Sequence, residues 1–137
     1  MEITIYTDGG SINNPGNAAA AYLIYQDKTL VAKQAVCLGI ASNNLAEYTA
    51  LVLALTKIKK ISWQKKSAKI VFFSDSSLMV NQLNGLFKVK NKNIRDLLIK
   101  IRILEQEINL PIVYNYISRE KNRPADLFVK KALQADD

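Results

Sequence analysis

The sequence contains no histidine. Imidazole is the usual general base near neutral pH and the commonest zinc ligand, so Ser-His-Asp hydrolysis, Cys-His hydrolysis and histidine-held zinc are all excluded. A single cysteine, Cys37, leaves no intramolecular disulfide and no multi-cysteine metal site, and it is expected to be a buried apolar filler. The three prolines stand singly at Pro15, Pro111 and Pro124, and no Pro/Gly/Ser-rich linker, low-complexity tract or internal repeat divides the chain. One domain over residues 1–137 is therefore expected. No apolar run approaches the roughly 18 residues that a membrane-spanning helix needs. The opening residues read as a strand and not as a secretory signal, so a cytoplasmic monomer with no membrane partner is the expectation. Any chemistry must come from carboxylates, hydroxyls, amides, lysines and whatever metal the carboxylates hold.

What is present fits a globular domain: 49% of the 137 residues are hydrophobic and 23% charged. The formal net charge is +7, from 19 Lys+Arg against 12 Asp+Glu, with a pI near 9.5. The excess is regional. Twelve basic residues and only two acids, Asp75 and Asp96, lie between Lys57 and Arg102, whereas residues 1–56 carry only Lys28 and Lys33. Both a phosphate-binding face and a merely solvated basic surface fit that distribution.

Residues 2–8 alternate and end at Gly9-Gly10, residues 11–17 have the composition of a turn, and 18–26 and 29–38 read as two further strands of an antiparallel meander. Leu51, Ala54, Ile58 and Ile61 recur at helical spacing and predict a helix over about 44–61. The continuous apolar run 70–73 suits a central strand covered on both faces. Helical patterns follow at 76–84 and 94–108, then a strand at 112–117, a loop over 119–123, and a last helix from about Pro124 to Gln134. The order βββ-α-β-α-α-β-α implies an α/β fold, a mixed five-stranded sheet with helices on both faces.

Four acids occupy unusual positions in that scheme. Asp8 and Asp75 fall at the ends of two strands that look central, the edge where ligands gather in open α/β sheets. Glu47 begins the apolar stripe that continues through Leu51, Ala54 and Ile58, and Asp126 relates in the same way to Val129 and Leu133. Each has an ordinary alternative: a turn residue for Asp8, a capping box with Asn44 for Glu47, an N-cap for Asp75, and a favourable helix-dipole position for Asp126. If all four converge, their repulsion calls for divalent cations, and an all-oxygen site without His or Cys selects Mg²⁺ or Mn²⁺. Two such ions about 4 Å apart can activate a water and stabilise the leaving oxygen of an in-line phosphoryl displacement, chemistry that needs no histidine at its centre.

Four segments, Tyr6-Thr7-Asp8-Gly9-Gly10-Ser11 with Asn14-Pro15-Gly16, Ser42-Asn43-Asn44-Leu45-Ala46-Glu47, Ser74-Asp75-Ser76, and Asn122-Arg123-Pro124-Ala125-Asp126, resemble in order and spacing the ribonuclease H type 1 family. The likeness spans nearly the whole chain. It implies the ribonuclease H-like fold and hydrolysis of the RNA strand of RNA–DNA hybrids, leaving 5′-phosphate and 3′-hydroxyl ends. It also implies two ions, Mg²⁺ or Mn²⁺, with Asp8 and Asp75 touching both, Glu47 and Asp126 each completing one shell, and the Gly9 carbonyl adding a ligand. Ser11, Asn14 and Asn43 match positions that read RNA 2′-hydroxyls; Ser42 and Asn44 match positions that hold the DNA strand, with helix capping as a simultaneous role.

Two departures from the family pattern matter. Many members carry a histidine in the loop before the last Asp, and here Arg119 or Glu120 would have to serve, Arg119 being preferred. The basic helical insertion of some members is too long for residues 84–93, where Lys88, Lys90 and Lys92 are the substitutes expected to contact phosphate. The tryptophan-rich patch of some members is absent as well; Trp63 is the sole tryptophan and is expected to pack. RNA–RNA duplexes stay open as a further substrate, and the competing reading is a non-catalytic hybrid- or duplex-binding module of the same fold.

Overall fold

Alternation in the first strand sorts the molecule into layers. In a computed structural model that describes residues 1–61 and 68–135, β1 (Glu2–Ser11) buries Ile3, Ile5 and Thr7 on one face of a sheet and turns Thr4 and Tyr6 to the other. β2 (Gly16–Gln26) and β3 (Thr29–Ala41) complete the antiparallel meander, and β4 (Lys69–Ser74) and β5 (Ile112–Tyr116) add to it in parallel. The order across the sheet is β3-β2-β1-β4-β5. Helices α1 (Asn43–Lys60), α2 (Ser77–Leu83) and α3 (Lys92–Ile108) cover one face, and α4 (Arg123–Ala135), entered through a 3₁₀ turn at Arg119–Asn122, packs on the other against β1, β2 and β3.

The main core joins Ile3, Ile5, Ile24, Phe72 and Tyr114 of the sheet to Leu51, Leu55 and Ile58 of α1 and to Ile101 and Leu104 of α3. Within it the buried Tyr48 hydroxyl donates to Gln82 Oε1 at 2.7 Å and so ties α1 to α2. The opposite side is thinner: α4 places Val129 on Ala19 and Ala21, where small residues let the helix approach the sheet. Trp63 lies outside the described residues.

Three expectations are corrected. β1 does not stop at Asp8 but runs through both glycines to Ser11, paired residue for residue with Ala18–Ala21 of β2. Gly9 is there because α1 crosses it: a Cβ at that position would lie 2.3 Å from the Ala46 carbonyl carbon, so the glycine marks a close approach and not a turn. Second, Cys37 is exposed on the edge strand β3, where its thiol donates to the Ala132 carbonyl of α4 at 3.4 Å. An edge strand has only one neighbour, so its side chains are shielded poorly. Third, the loop expected at 119–123 is wound into the 3₁₀ turn, fastened by the Lys121 and Asn122 amides donating to the Ser118 carbonyl. Among the described residues, no helix is long and apolar enough to cross a membrane.

Candidate active site

The pairing of β1 with β4 ends at Tyr6 and Phe73, while β1 continues against β2 alone and the chain after β4 turns into α2. That divergence opens the sheet, and a cleft of about 440 Å³ lies there. Asp8, Glu47, Asp75 and Asp126 all line it. Asp8 comes from β1, Asp75 from the residue just after β4, Glu47 from the second turn of α1 and Asp126 from the first turn of α4.

Three of these acids do not play the ordinary roles their positions offer. Ser42 caps α1 by accepting from the Leu45 amide at 3.1 Å, so no capping box uses Glu47. Ser76 caps α2 by accepting from Met79, which removes the N-cap role from Asp75. Asp8 lies within a strand and makes no turn. Only Asp126 keeps its ordinary role, at the positive end of α4, beside its place in the cleft.

Asp8, Glu47 and Asp75 each bring a carboxylate oxygen into a group whose members all lie within 4.8 Å of one another. Asp8 and Glu47 are buried, with 6% and 8% of their surface exposed. Burial first, then the charges of Asp75 and Asp126, push the Asp8 carboxyl from 3.8 up to about 7. Glu47 is raised well above its ordinary value by burial and by Asp8 and Asp75. Asp75 is raised mainly by burial, against the opposing pull of the Asn122 amide and the Arg119 guanidinium. Three crowded acids displaced in one direction, by burial first and by the charge of neighbouring acids second, form a site where ionisation is costly.

Asp126 lines the cleft but stands outside the tight group, and its Oδ2 receives a 3.1 Å ion pair from Lys130. Arg119 reaches the cleft, whereas Glu120 does not line it. Ser11, Asn43 and Asn44 form one wall. Asn43 Oδ1 accepts from both the Ser11 amide, 2.8 Å, and the Ser11 hydroxyl, 2.9 Å, and the Asn43 amide donates to Asn14 Oδ1 at 3.0 Å. The end of β1, the following turn and the start of α1 are thereby knitted together. Ser42 and Asn14 support that wall without lining the cleft. Lys88, Lys90 and Lys92 are exposed and also lie outside it, the first two on the segment that leads into α3 and Lys92 at the first residue of that helix.

Residue-by-residue reading assigned no role to three participants. Asn122 is fully buried and its Nδ2 donates to the Thr7 carbonyl at 2.8 Å, pinning the 3₁₀ turn to the strand that carries Asp8. Ser74 Oγ, also fully buried, donates to Glu47 Oε2 at 3.4 Å and accepts from the Ser76 amide at 3.1 Å. Lys130 was discoverable, because a lysine four residues after an aspartate on one helix is a favourable pair. The other two depend on chain crossings that no local pattern reports.

Comparison with known proteins places this geometry. The family model described as "Reverse transcriptase-like" matches residues 6–132. The bifunctional protein Rv2228c of Mycobacterium tuberculosis is 30% identical over 137 residues, covering 98% of this chain and 36% of its own. The chain thus spans about a third of the length of the first curated relatives it matches. A ribonuclease HI of Halobacterium salinarum is 31% identical over 129 residues, 93% of this chain and 62% of the relative. Among solved structures, LC11-RNase H1, isolated from compost by a metagenomic approach, superimposes with a TM-score of 0.92 at 32% identity, covering 98% of this chain and 97% of the other. The same enzyme has also been solved in complex with an RNA/DNA hybrid, and that structure matches with a TM-score of 0.88. The fold, a five-stranded sheet with helices on both faces, is thus shared along almost the full chain with LC11-RNase H1, and the chain belongs to the reverse transcriptase-like family, as a domain of the type 1 ribonuclease H kind.

Proposed function

We propose that residues 1–137 act as one ribonuclease H-like catalytic domain, an endoribonuclease that hydrolyses the RNA strand of RNA–DNA hybrids with two divalent cations and leaves 5′-phosphate and 3′-hydroxyl ends. The observation that carries this reading is the group of three carboxylate oxygens within 4.8 Å, each acid raised from its ordinary value first by burial and then by the charges of neighbouring acids. Oxygen-only donors of that kind fit hard cations, Mg²⁺ or Mn²⁺, and not zinc. Asp8, Glu47, Asp75 and Asp126 would hold the ions, with the Gly9 carbonyl beside them. When bound, such ions generate a nucleophilic water and stabilise the leaving oxygen of an in-line displacement.

The rest falls to this chain's own groups. Because Asn43 Oδ1 is taken by Ser11, and Asn14 Oδ1 by the Asn43 amide, each side chain has its NH₂ to offer. Donors of that type, with the Ser11 hydroxyl, suit ribose 2′-hydroxyls, which distinguish RNA from DNA and are read without regard to sequence. Ser42 and Asn44 at the start of α1 serve the DNA strand. Arg119 takes the place of the missing histidine, its guanidinium already biasing Asp75 toward the charged form. Lys88, Lys90 and Lys92 extend the basic face along the duplex as phosphate contacts.

The test follows the labelled RNA strand of a hybrid, and of an all-RNA duplex, with Mg²⁺, with Mn²⁺ and with EDTA. Cleavage of the hybrid with either ion and none in EDTA is expected, with product ends that a phosphatase and a ligase can identify. An intact but bound hybrid under every metal condition would replace the enzyme with a duplex-binding module, and cleavage of the all-RNA duplex would widen the substrate class.

A further inference from the structure

Four acids share the cleft but are not treated alike. Asp8, Glu47 and Asp75 crowd together, whereas Asp126 stands apart and alone carries a direct ion pair, to Lys130 four residues later on α4. Lys130 lines the same cleft, and its side chain is 62% exposed while that of Asp126 is 18% exposed. The aspartate precedes the lysine, the better orientation for an i,i+4 pair. An exposed pair of this kind is held weakly. It satisfies a carboxylate at rest, yet yields when a doubly charged ion competes for the same oxygens.

We propose that Lys130 is a positioning residue, an internal counter-ion that keeps Asp126 out of the Asp8–Glu47–Asp75 group and competes with a divalent cation for its carboxylate, so that it sets the metal concentration the cleft requires. The inference rests on the metal reading of this site. The same tether has a second consequence. With the Lys130 pair broken, Asp126 adds its charge to the acids it faces, and an arriving cation relieves that repulsion.

The experiment titrates Mn²⁺ into the protein by calorimetry, without nucleic acid, for wild type, Lys130→Gln, Lys130→Arg, Asp126→Asn and the Lys130→Gln/Asp126→Asn double variant. Losing an exposed pair should tighten Mn²⁺ binding by about 1.5- to 5-fold in Lys130→Gln, and Lys130→Arg should restore the wild-type value. In the Asp126→Asn background Lys130→Gln should have no effect, because the competition has lost its object. A general change of field would persist there and would overturn the proposal, as would an unchanged or weaker affinity in Lys130→Gln alone. If wild type binds no Mn²⁺ at all, the failure lies with the metal reading and takes this inference down with it. The activity of Lys130→Gln should also reach half its maximum at a lower Mn²⁺ concentration than wild type.

Discussion

Replacing Asp8 by asparagine should make the metal-free protein more stable at the same time as it disables the cleft. The Asp8 carboxyl is raised from 3.8 to about 7 by burial and by its acidic neighbours. With only 6% of the residue exposed, water screens little of that cost. Moving the carboxyl that far corresponds to roughly 4 kcal/mol opposing its ionisation above neutral pH. Between about pH 4 and pH 7 the folded state keeps a proton that the unfolded chain has released, so wild-type stability in EDTA falls as pH rises through that window. The displacements of Glu47 and Asp75 act in the same direction. Asp8→Asn removes the ionisable group and keeps its shape, so at pH 8 in EDTA it should gain about 1–4 kcal/mol, or roughly 3–5 °C in Tm per kcal/mol for a chain of this size. At pH 5 wild-type Asp8 is already protonated and the gap should shrink. Saturating Mg²⁺ should raise the wild-type Tm more than that of the variant. Thermal melts at the two pH values, with EDTA and with Mg²⁺, decide the matter. An Asp8→Asn variant that melts at or below wild type at pH 8 in EDTA refutes the claim that these acids are crowded without compensation.

Further outcomes follow from the same geometry. Asp75→Asn should reduce hybrid cleavage by roughly 100-fold or more, since an ion's contribution to the transition state is worth several kcal/mol, while its far-UV circular dichroism stays that of wild type. Gly9→Ala should cost about 1–3 kcal/mol or more in urea unfolding, because its Cβ would sit 2.3 Å from backbone that neither β1 nor α1 can move cheaply. An unchanged midpoint would show that α1 does not rest on that glycine. Lys88→Ala and Lys90→Ala should weaken hybrid binding and lower the slope of log K against log salt by about one each. Slopes equal to wild type would remove that segment from the interface.

The elements were legible in the sequence because local periodicity writes them there. The alternation of residues 2–8, the apolar run 70–73 and the helical stripe from Leu51 to Ile58 each state an element and its buried face without reference to the rest of the chain. The four acids were legible for a related reason: a carboxylate on an apolar stripe or at a strand end conflicts with its neighbourhood, and the conflict shows in one dimension. Other features were misread because one local signal serves two ends. Gly9-Gly10 looks like a turn, yet the glycine is demanded by a helix that arrives from residue 46. Cys37 looks like filler, yet its strand lies at the edge of the sheet.

The amino-acid sequence alone determined the order of elements, the absence of histidine chemistry and the identity of the acids that could matter. The tertiary structure alone decided that Asp8, Glu47 and Asp75 come within 4.8 Å while Asp126 lines the same cleft outside that group, and that Asn122 fastens the 3₁₀ turn to the strand bearing Asp8. Periodicity is a property of neighbours along the chain. Electrostatic crowding is a property of neighbours in space, and these neighbours lie as far apart in sequence as the opening strand and the closing helix.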